Sequence, residues 1–325
     1  MDNLTHSLVG AVLGQAGLKR KTGLAMPALI IEANLPDVDA ACFFWLEGTE
    51  HLGFRRGITH GPAALVLLPL VLAGLLWGFD RWQERRGKRP EGRLPVDFKW
   101  LFLLSFIGCL THPAMDWLNV YGIRLLEPFS SQWFYGDTLF IIDVWLWALL
   151  IGSVWWSLRK EKRGGAWTRP ARVGLIISLF YIAMNGLISL GAPRVMDLPA
   201  ISSPVPIAFW EREVLVGGHG RWSRQVNEPQ VLKAYKSDGT PGDSLLLPVA
   251  FEPLSEQFCA LPDLTEKRER DSQLEAFLFW SRAPFAVRAD DGSVILYDAR
   301  FYDPRARGRF SVALPDVECE ELPAE

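Results

Sequence analysis

The sequence predicts an all-α polytopic membrane domain, about five to six helices over residues 1–193, followed by a small α+β extracytoplasmic domain over 194–325. Three observations predict it. Four runs, 58–79, 100–115, 144–158 and 173–193, contain no Asp, Glu, Lys or Arg, and their lengths approach what a bilayer-spanning helix needs. Basic residues gather in short loops between those runs. From about residue 194 the composition turns to Pro, charged residues and short β-prone pieces. The totals agree: 49% of the 325 residues are hydrophobic, 14 are Trp, and the net charge is only −3. That charge argues neither for nor against a nucleic-acid partner, but the Trp and Tyr fit interfacial belts better than base stacking, and no nucleic-acid partner is expected. Asp2 and the lack of a basic leader argue against a cleavable signal peptide.

Residues 4–18 are apolar, with small residues at Ser7, Gly10, Gly14 and Gly17 that suit close helix contacts in a membrane. Lys19, Arg20 and Lys21 follow, then a second apolar stretch at 23–34 that includes Glu32. Both stretches are short, as in a thin or re-entrant hairpin. Residues 40–57 read as a loop or short amphipathic helix ending in Arg55-Arg56-Gly57. The loops at 19–21, 80–99 and 159–172 are strongly basic and are placed in the cytoplasm by the positive-inside rule. In the last domain, strands are expected at 213–216, 293–297 and 309–314, a helix at 264–282, and turns at Asp238-Gly239 and Asp291-Gly292. Cys42 and Cys109 read as small hydrophobes. Cys259 and Cys319 can pair if that domain is extracytoplasmic, though spacing alone does not decide it.

Three of the five His follow Thr, as Thr5-His6, Thr59-His60 and Thr111-His112. Pro36-Asp37-Val38-Asp39 sets two carboxylates in the turn after the second stretch, and His112-x-x-x-Asp116 puts two ionisable groups on one helix face. In this topology His6, Asp37, Asp39, His60, His112, Asp116, Asp137 and Asp143 all reach the face opposite the basic loops. Ionisable groups at membrane depth usually serve a site. Imidazoles and carboxylates converging on one point form a site for a divalent cation, zinc by chemical type. The expected ligands are His6, Asp37, Asp39, His60, His112 and Asp116. Asp39 or Asp143 is the candidate general base, and Arg55 and Arg56 are candidates for an anionic substrate group or for balancing the carboxylates. The adjacent Thr hydroxyls are expected to order the ligating imidazoles. Asp137 is expected to cap the fourth span, and His51 and His219 to lie on the surface. Each residue also has a structural reading, as a helix cap, a packing pair or a solvated loop charge.

Met1-Asp2-x-x-Thr5-His6-Ser7, Asn34-Leu35-Pro36-Asp37-Val38-Asp39, Arg56-Gly57-x-Thr59-His60, Thr111-His112-x-x-x-Asp116 and Asp137-x-x-Phe140-Ile141-Ile142-Asp143 resemble the YdjM-like family of bacterial inner-membrane proteins. The motif order is distantly similar to zinc-dependent phospholipase C. One departure is Gly61, where the pattern leads one to expect Ser. The resemblance implies a multi-pass inner-membrane protein with metal-dependent hydrolase activity. A lipid or lipid-linked ester or phosphoester is the expected substrate. The alternative is a non-enzymatic metal-binding sensor or assembly factor. A transporter would need ionisable groups continuing to the cytoplasmic side, and the spans show almost none.

Overall fold

A computed structural model describes residues 1–190, 199–218, 220–226, 230–235, 241–247, 250–305 and 308–322. His219 and the expected Asp238-Gly239 turn lie outside the described residues. The chain divides into two compact units. One is built from Met1–Phe44, Phe54–Gly191 and Pro204–Glu211; the other from Trp45–Gly53, Ala192–Ser203 and Arg212–Glu325.

The first unit is helical: α1 (Asn3–Gln15), α2 (Ala25–Glu32), α4 (Pro62–Arg85), α5 (Phe98–Trp117), α6 (Val144–Lys162) and α7 (Thr168–Leu190), with α3 (Glu50–Phe54) at the edge of the second unit. Aspartates start several of them. The Asp2, Asp97 and Asp143 carboxylates accept free N–H groups at the starts of α1, α5 and α6. Asp143, rather than Asp137, is thus the cap of α6, and Asp137 has a left-handed φ of 47°. Pro62 opens α4, where its missing N–H costs nothing.

Among the described residues three helices, α4, α5 and α7, are long and apolar enough to cross a membrane. The larger expected number is not reached by that measure, for a physical reason. α1 and α2 have 13 and 8 residues, and the last turn of α6 carries Arg159, Lys160 and Lys162. The short helices pack by close backbone approach. A Cβ on Gly10 of α1 would stand 2.7 Å from the Leu29 carbonyl of α2, and one on Gly108 of α5 would stand 2.8 Å from the same oxygen. α2 is therefore wedged between α1 and α5 through glycine contacts. Leu29, Leu101 and Leu104 are fully buried beside them.

The second unit is rich in sheet. Its strands are β1 (Ala200–Pro204), β2 (Arg212–Gly218), β3 (Arg221–Val226), β4 (Gln230–Tyr235), β5 (Pro241–Leu247), β6 (Ala250–Pro253), β7 (Phe258–Cys259), β8 (Pro284–Arg288), β9 (Ser293–Asp298) and β10 (Ser311–Glu318). They form sheets of order β1-β2-β3-β6 and β10-β9-β8-β7, with β4 and β5 as a hairpin. Ile201, Leu215, Trp222, Phe285, Ile295 and Tyr297 are buried in one core. The helix expected at 264–282 is broken in two, α8 (Thr265–Arg268) and α9 (Ser272–Trp280). The Asp271 carboxylate accepts from the Gln273 and Leu274 N–H groups and starts the second piece afresh. The Asp291-Gly292 turn forms, with Gly292 at φ 85°. Cys259 and Cys319 are joined in a disulfide. His51 is buried rather than on the surface, its Nδ1 2.8 Å from the Gly48 carbonyl.

Candidate metal centre

Four segments of the helical unit supply the site. The last two turns of α5 present His112 and Asp116, both fully buried. A 3-10 stretch at Leu35–Phe44 carries Asp37 and Asp39, and a 3-10 turn at Ile58–His60 carries His60. α1 carries His6. Asp37, His60, His112 and Asp116 each offer a ligand atom, and these atoms all lie within 4.8 Å of one another. The two imidazole Nε2 atoms are 3.1 Å apart. Asp116 Oδ2 is 3.6 Å from each of them, and Asp37 Oδ1 is 4.0 Å from His60 Nε2 and 3.8 Å from His112 Nε2. For metal–nitrogen bonds of about 2.0–2.1 Å, a tetrahedron has an edge of about 3.3 Å. The donor set matches that size and suits zinc or a similar borderline divalent ion.

The hydrogen bonds fix the imidazole tautomers. His112 Nδ1 is 2.7 Å from the Ala33 carbonyl, which only accepts, so Nδ1 carries the proton. The Thr59 hydroxyl donates to Asp39 Oδ2 at 3.2 Å and so accepts from His60 Nδ1 at 2.9 Å. Both Nε2 atoms are then bare lone pairs facing each other at 3.1 Å. Two acceptors held nose to nose repel unless a cation lies between them. Asp116 Oδ2 faces the same space, with only the Arg56 guanidinium, among the described residues, paired to it at 3.1 Å. The residues present therefore fit a divalent cation.

Cationic and imidazole groups flank both oxygens of Asp116. The Met1 nitrogen pairs with Oδ1, His6 Nε2 is 3.3 Å from Oδ1, and Arg56 Nε is 3.1 Å from Oδ2. Arg56 is buried and donates to the Asn119 side-chain oxygen at 3.0 Å and the Gly122 carbonyl at 3.1 Å, with its guanidinium 4.6 Å over the Tyr121 ring. Arg55 reaches Asp37 Oδ1 at 3.0 Å and Asp39 Oδ1 at 3.4 Å. Burial pushes the Asp39 carboxyl above its ordinary value, opposed by the Arg55 guanidinium and the Arg56 N–H.

Residues 1–191 match the family model described as YdjM inner membrane protein. The chain belongs to the YdjM family. It is also similar to the uncharacterized protein YfhP of Bacillus subtilis (strain 168), 26% identical over 141 residues, covering 41% of this chain. The matched part spans 39% of that relative's length. No solved structure matches the chain.

Within this YdjM member the expected residues separate by position. Asp37, His60, His112 and Asp116 converge. His6 stands beside them, stacked on His112 with ring centroids 3.9 Å apart. Asp39 is turned to the far side of His60, accepting the Arg56 N–H at 2.7 Å and lying 3.6 Å from His60 Nδ1. Asp143 is engaged elsewhere, accepting the Leu146 N–H at 2.8 Å and the Tyr181 hydroxyl at 2.9 Å. Of the three Thr-His pairs only Thr59 touches its own imidazole. Thr5 donates to Asp2 at 2.6 Å and Thr111 to the Gly108 carbonyl at 2.7 Å. Gly61 is explained by packing, since a Cβ there would collide with the Glu127 backbone carbonyl. Asn119, Tyr121 and the Ala33 carbonyl were not visible as site groups in the sequence. Asn119 follows Asp116 by three residues, the one signal that could have found it.

Proposed function

We propose that this YdjM-family protein is a membrane-bound metal-dependent hydrolase acting on an ester or phosphoester of a lipid or lipid-linked substrate. The observation that carries the reading is the pair of bare imidazole nitrogens of His60 and His112, 3.1 Å apart and flanked by Asp37 and Asp116. A divalent cation in such a site lowers the pKa of bound water and polarises an ester or phosphoryl oxygen.

The chain's own residues divide the remaining work. Asp37, His60, His112 and Asp116 are the ligands, with His6 backing His112. Asp39 and Thr59 fix the His60 ring, and Arg56, itself held by Asn119, pairs with Asp116. Asp37 is the one member of the four that is not fully buried, so water and substrate enter on its side. The half-buried Arg55 stands there, 3.0 Å from Asp37, placed to hold an anionic substrate group. Asp39, turned behind His60, acts through the His60 ring and not on bound water. The distant similarity of the motif order to zinc-dependent phospholipase C supports a phosphoester over a carboxylic ester, by analogy.

The test is hydrolysis of phospholipid and of a soluble phosphodiester by purified, zinc-loaded protein and by His112→Ala. Hydrolysis lost in the variant is expected. Zinc bound by the wild type with no turnover of either substrate would favour the non-enzymatic sensor or assembly factor instead.

A further inference from the structure

The segments that carry the candidate ligands also carry unusually exposed apolar side chains. Val38 and Phe44 of the Leu35–Phe44 stretch are 52% and 90% exposed, and Ile58 of the Ile58–His60 turn is 64% exposed. Leu126 and Phe129, in the loop after α5, are 43% and 81% exposed. Single exposed hydrophobes are ordinary, but these sit on three segments locked together. Arg56 N donates to Asp39 Oδ2 at 2.7 Å, joining the first segment to the second. Arg124 N donates to the Arg56 carbonyl at 3.0 Å, joining the second to the third. The Glu127 backbone lies so close to Gly61 that no Cβ fits between them.

What covers this collar follows from its continuity with the membrane helices. Ile58 lies four residues before Pro62, which opens α4, and α4 is one of the three helices apolar enough to cross a bilayer. Its first turns expose Val66, Leu67, Leu70 and Val71. The apolar surface thus runs from the span onto the loops without a polar break at the helix start. We propose that Val38, Phe44, Ile58, Leu126 and Phe129 form a collar immersed in the lipid leaflet beside the metal centre, so that the centre's mouth opens at headgroup depth rather than into bulk water. Aromatic and aliphatic side chains are stable at that depth. This holds whether or not the centre is hydrolytic.

The experiment places a nitroxide at Phe44→Cys and, separately, at Phe129→Cys in the full chain. The protein is reconstituted in mixed phosphatidylethanolamine and phosphatidylglycerol vesicles. Arg305→Cys, whose native side chain is 91% exposed in the sheet unit, is the aqueous control, and the wild type with its buried Cys42 and Cys109 gives the background. Collision rates with oxygen and with a water-soluble nickel chelate are compared. Oxygen should dominate at 44 and 129, and the chelate at 305. Chelate access at 44 and 129 equal to that at 305 overturns the proposal. Exclusion of both reagents also overturns it, because it means that protein, such as a second copy of the chain, covers the collar. The two positions lie on different segments, so failure of one variant to fold leaves the other decisive.

Discussion

Replacing Thr59 by Val keeps the shape of the side chain and removes one hydroxyl. That hydroxyl accepts from His60 Nδ1 at 2.9 Å and donates to Asp39 Oδ2 at 3.2 Å. His60 is fully buried, so its Nδ1–H is left facing a methyl group. An orphaned buried donor costs about 1–3 kcal/mol. Asp39 Oδ2 at 3.6 Å can move in to replace part of the loss, which places the effect near the lower end. Metal affinity should fall about tenfold, the bottom of the 10–100-fold range for such outer partners. Thr111→Val is the matched control. Its hydroxyl bonds the Gly108 carbonyl of its own helix at 2.7 Å and leaves His112 untouched, so affinity should change by less than about twofold. Chelator competition with zinc on purified protein measures both. Equal losses in the two variants, or no loss in Thr59→Val, would refute the tautomer reasoning and with it the bare nitrogen on His60.

Three further outcomes follow from the packing. Asp298 is fully buried; burial pushes its carboxyl up, but the Arg300 guanidinium and hydrogen bonds from Ser281 and Arg300 outweigh that and hold it below the usual carboxylate range. Its contribution is therefore complete above about pH 3.9 and is lost as pH falls through the lower folded value. Asp298→Ala should destabilise the sheet unit by about 3–5 kcal/mol, read as faster hydrogen exchange in β9. Replacing Cys259 and Cys319 by Ser opens a loop of 60 residues and should cost the same unit about 4 kcal/mol, read by denaturant unfolding against the oxidised wild type. Gly61→Ser, which would restore the hydroxyl expected from the motif, should lower thermal stability, because its Cβ meets the Glu127 carbonyl. Unchanged melting would show that the Glu127 loop yields freely.

Much of the site could be read from residue order because its signals are local. His112 and Asp116 are four apart on one helix, Asp37 and Asp39 follow a Pro, and the basic loops lead one to expect all of these at one face. The parts that stayed hidden depend on partners far away in the chain. Nothing near Arg56 says that its guanidinium meets Asp116, 60 residues on. Nothing near His112 says that its Nδ1 meets the main chain of Ala33. Asp39 looked like a ligand because it sits two residues from Asp37. In the folded chain the Arg56 N–H and the Thr59 hydroxyl draw it behind His60. Asp143 read as a candidate base because it is a carboxylate that metal ligation could leave free, yet α6 needs an N-cap and takes it. In the fold, the apolar periodicity located the helices but not the break at Asp271. Residues 40–57 read as a loop or short amphipathic helix of the membrane domain, and α3 lies there, but Trp45–Gly53 sit in the other unit. They belong with that unit because the Thr49 hydroxyl bonds the Gln273 carbonyl at 2.8 Å and Gly53 packs on Ala276.

X-ray absorption at the zinc edge, on purified protein supplied with stoichiometric zinc, bears most directly on the centre. Two imidazole nitrogens and carboxylate oxygens at about 2.0–2.2 Å are expected, with the imidazole signal halved in His112→Ala. A spectrum of hydrated zinc, or one unchanged by His112→Ala, would show that His60 and His112 do not share a cation.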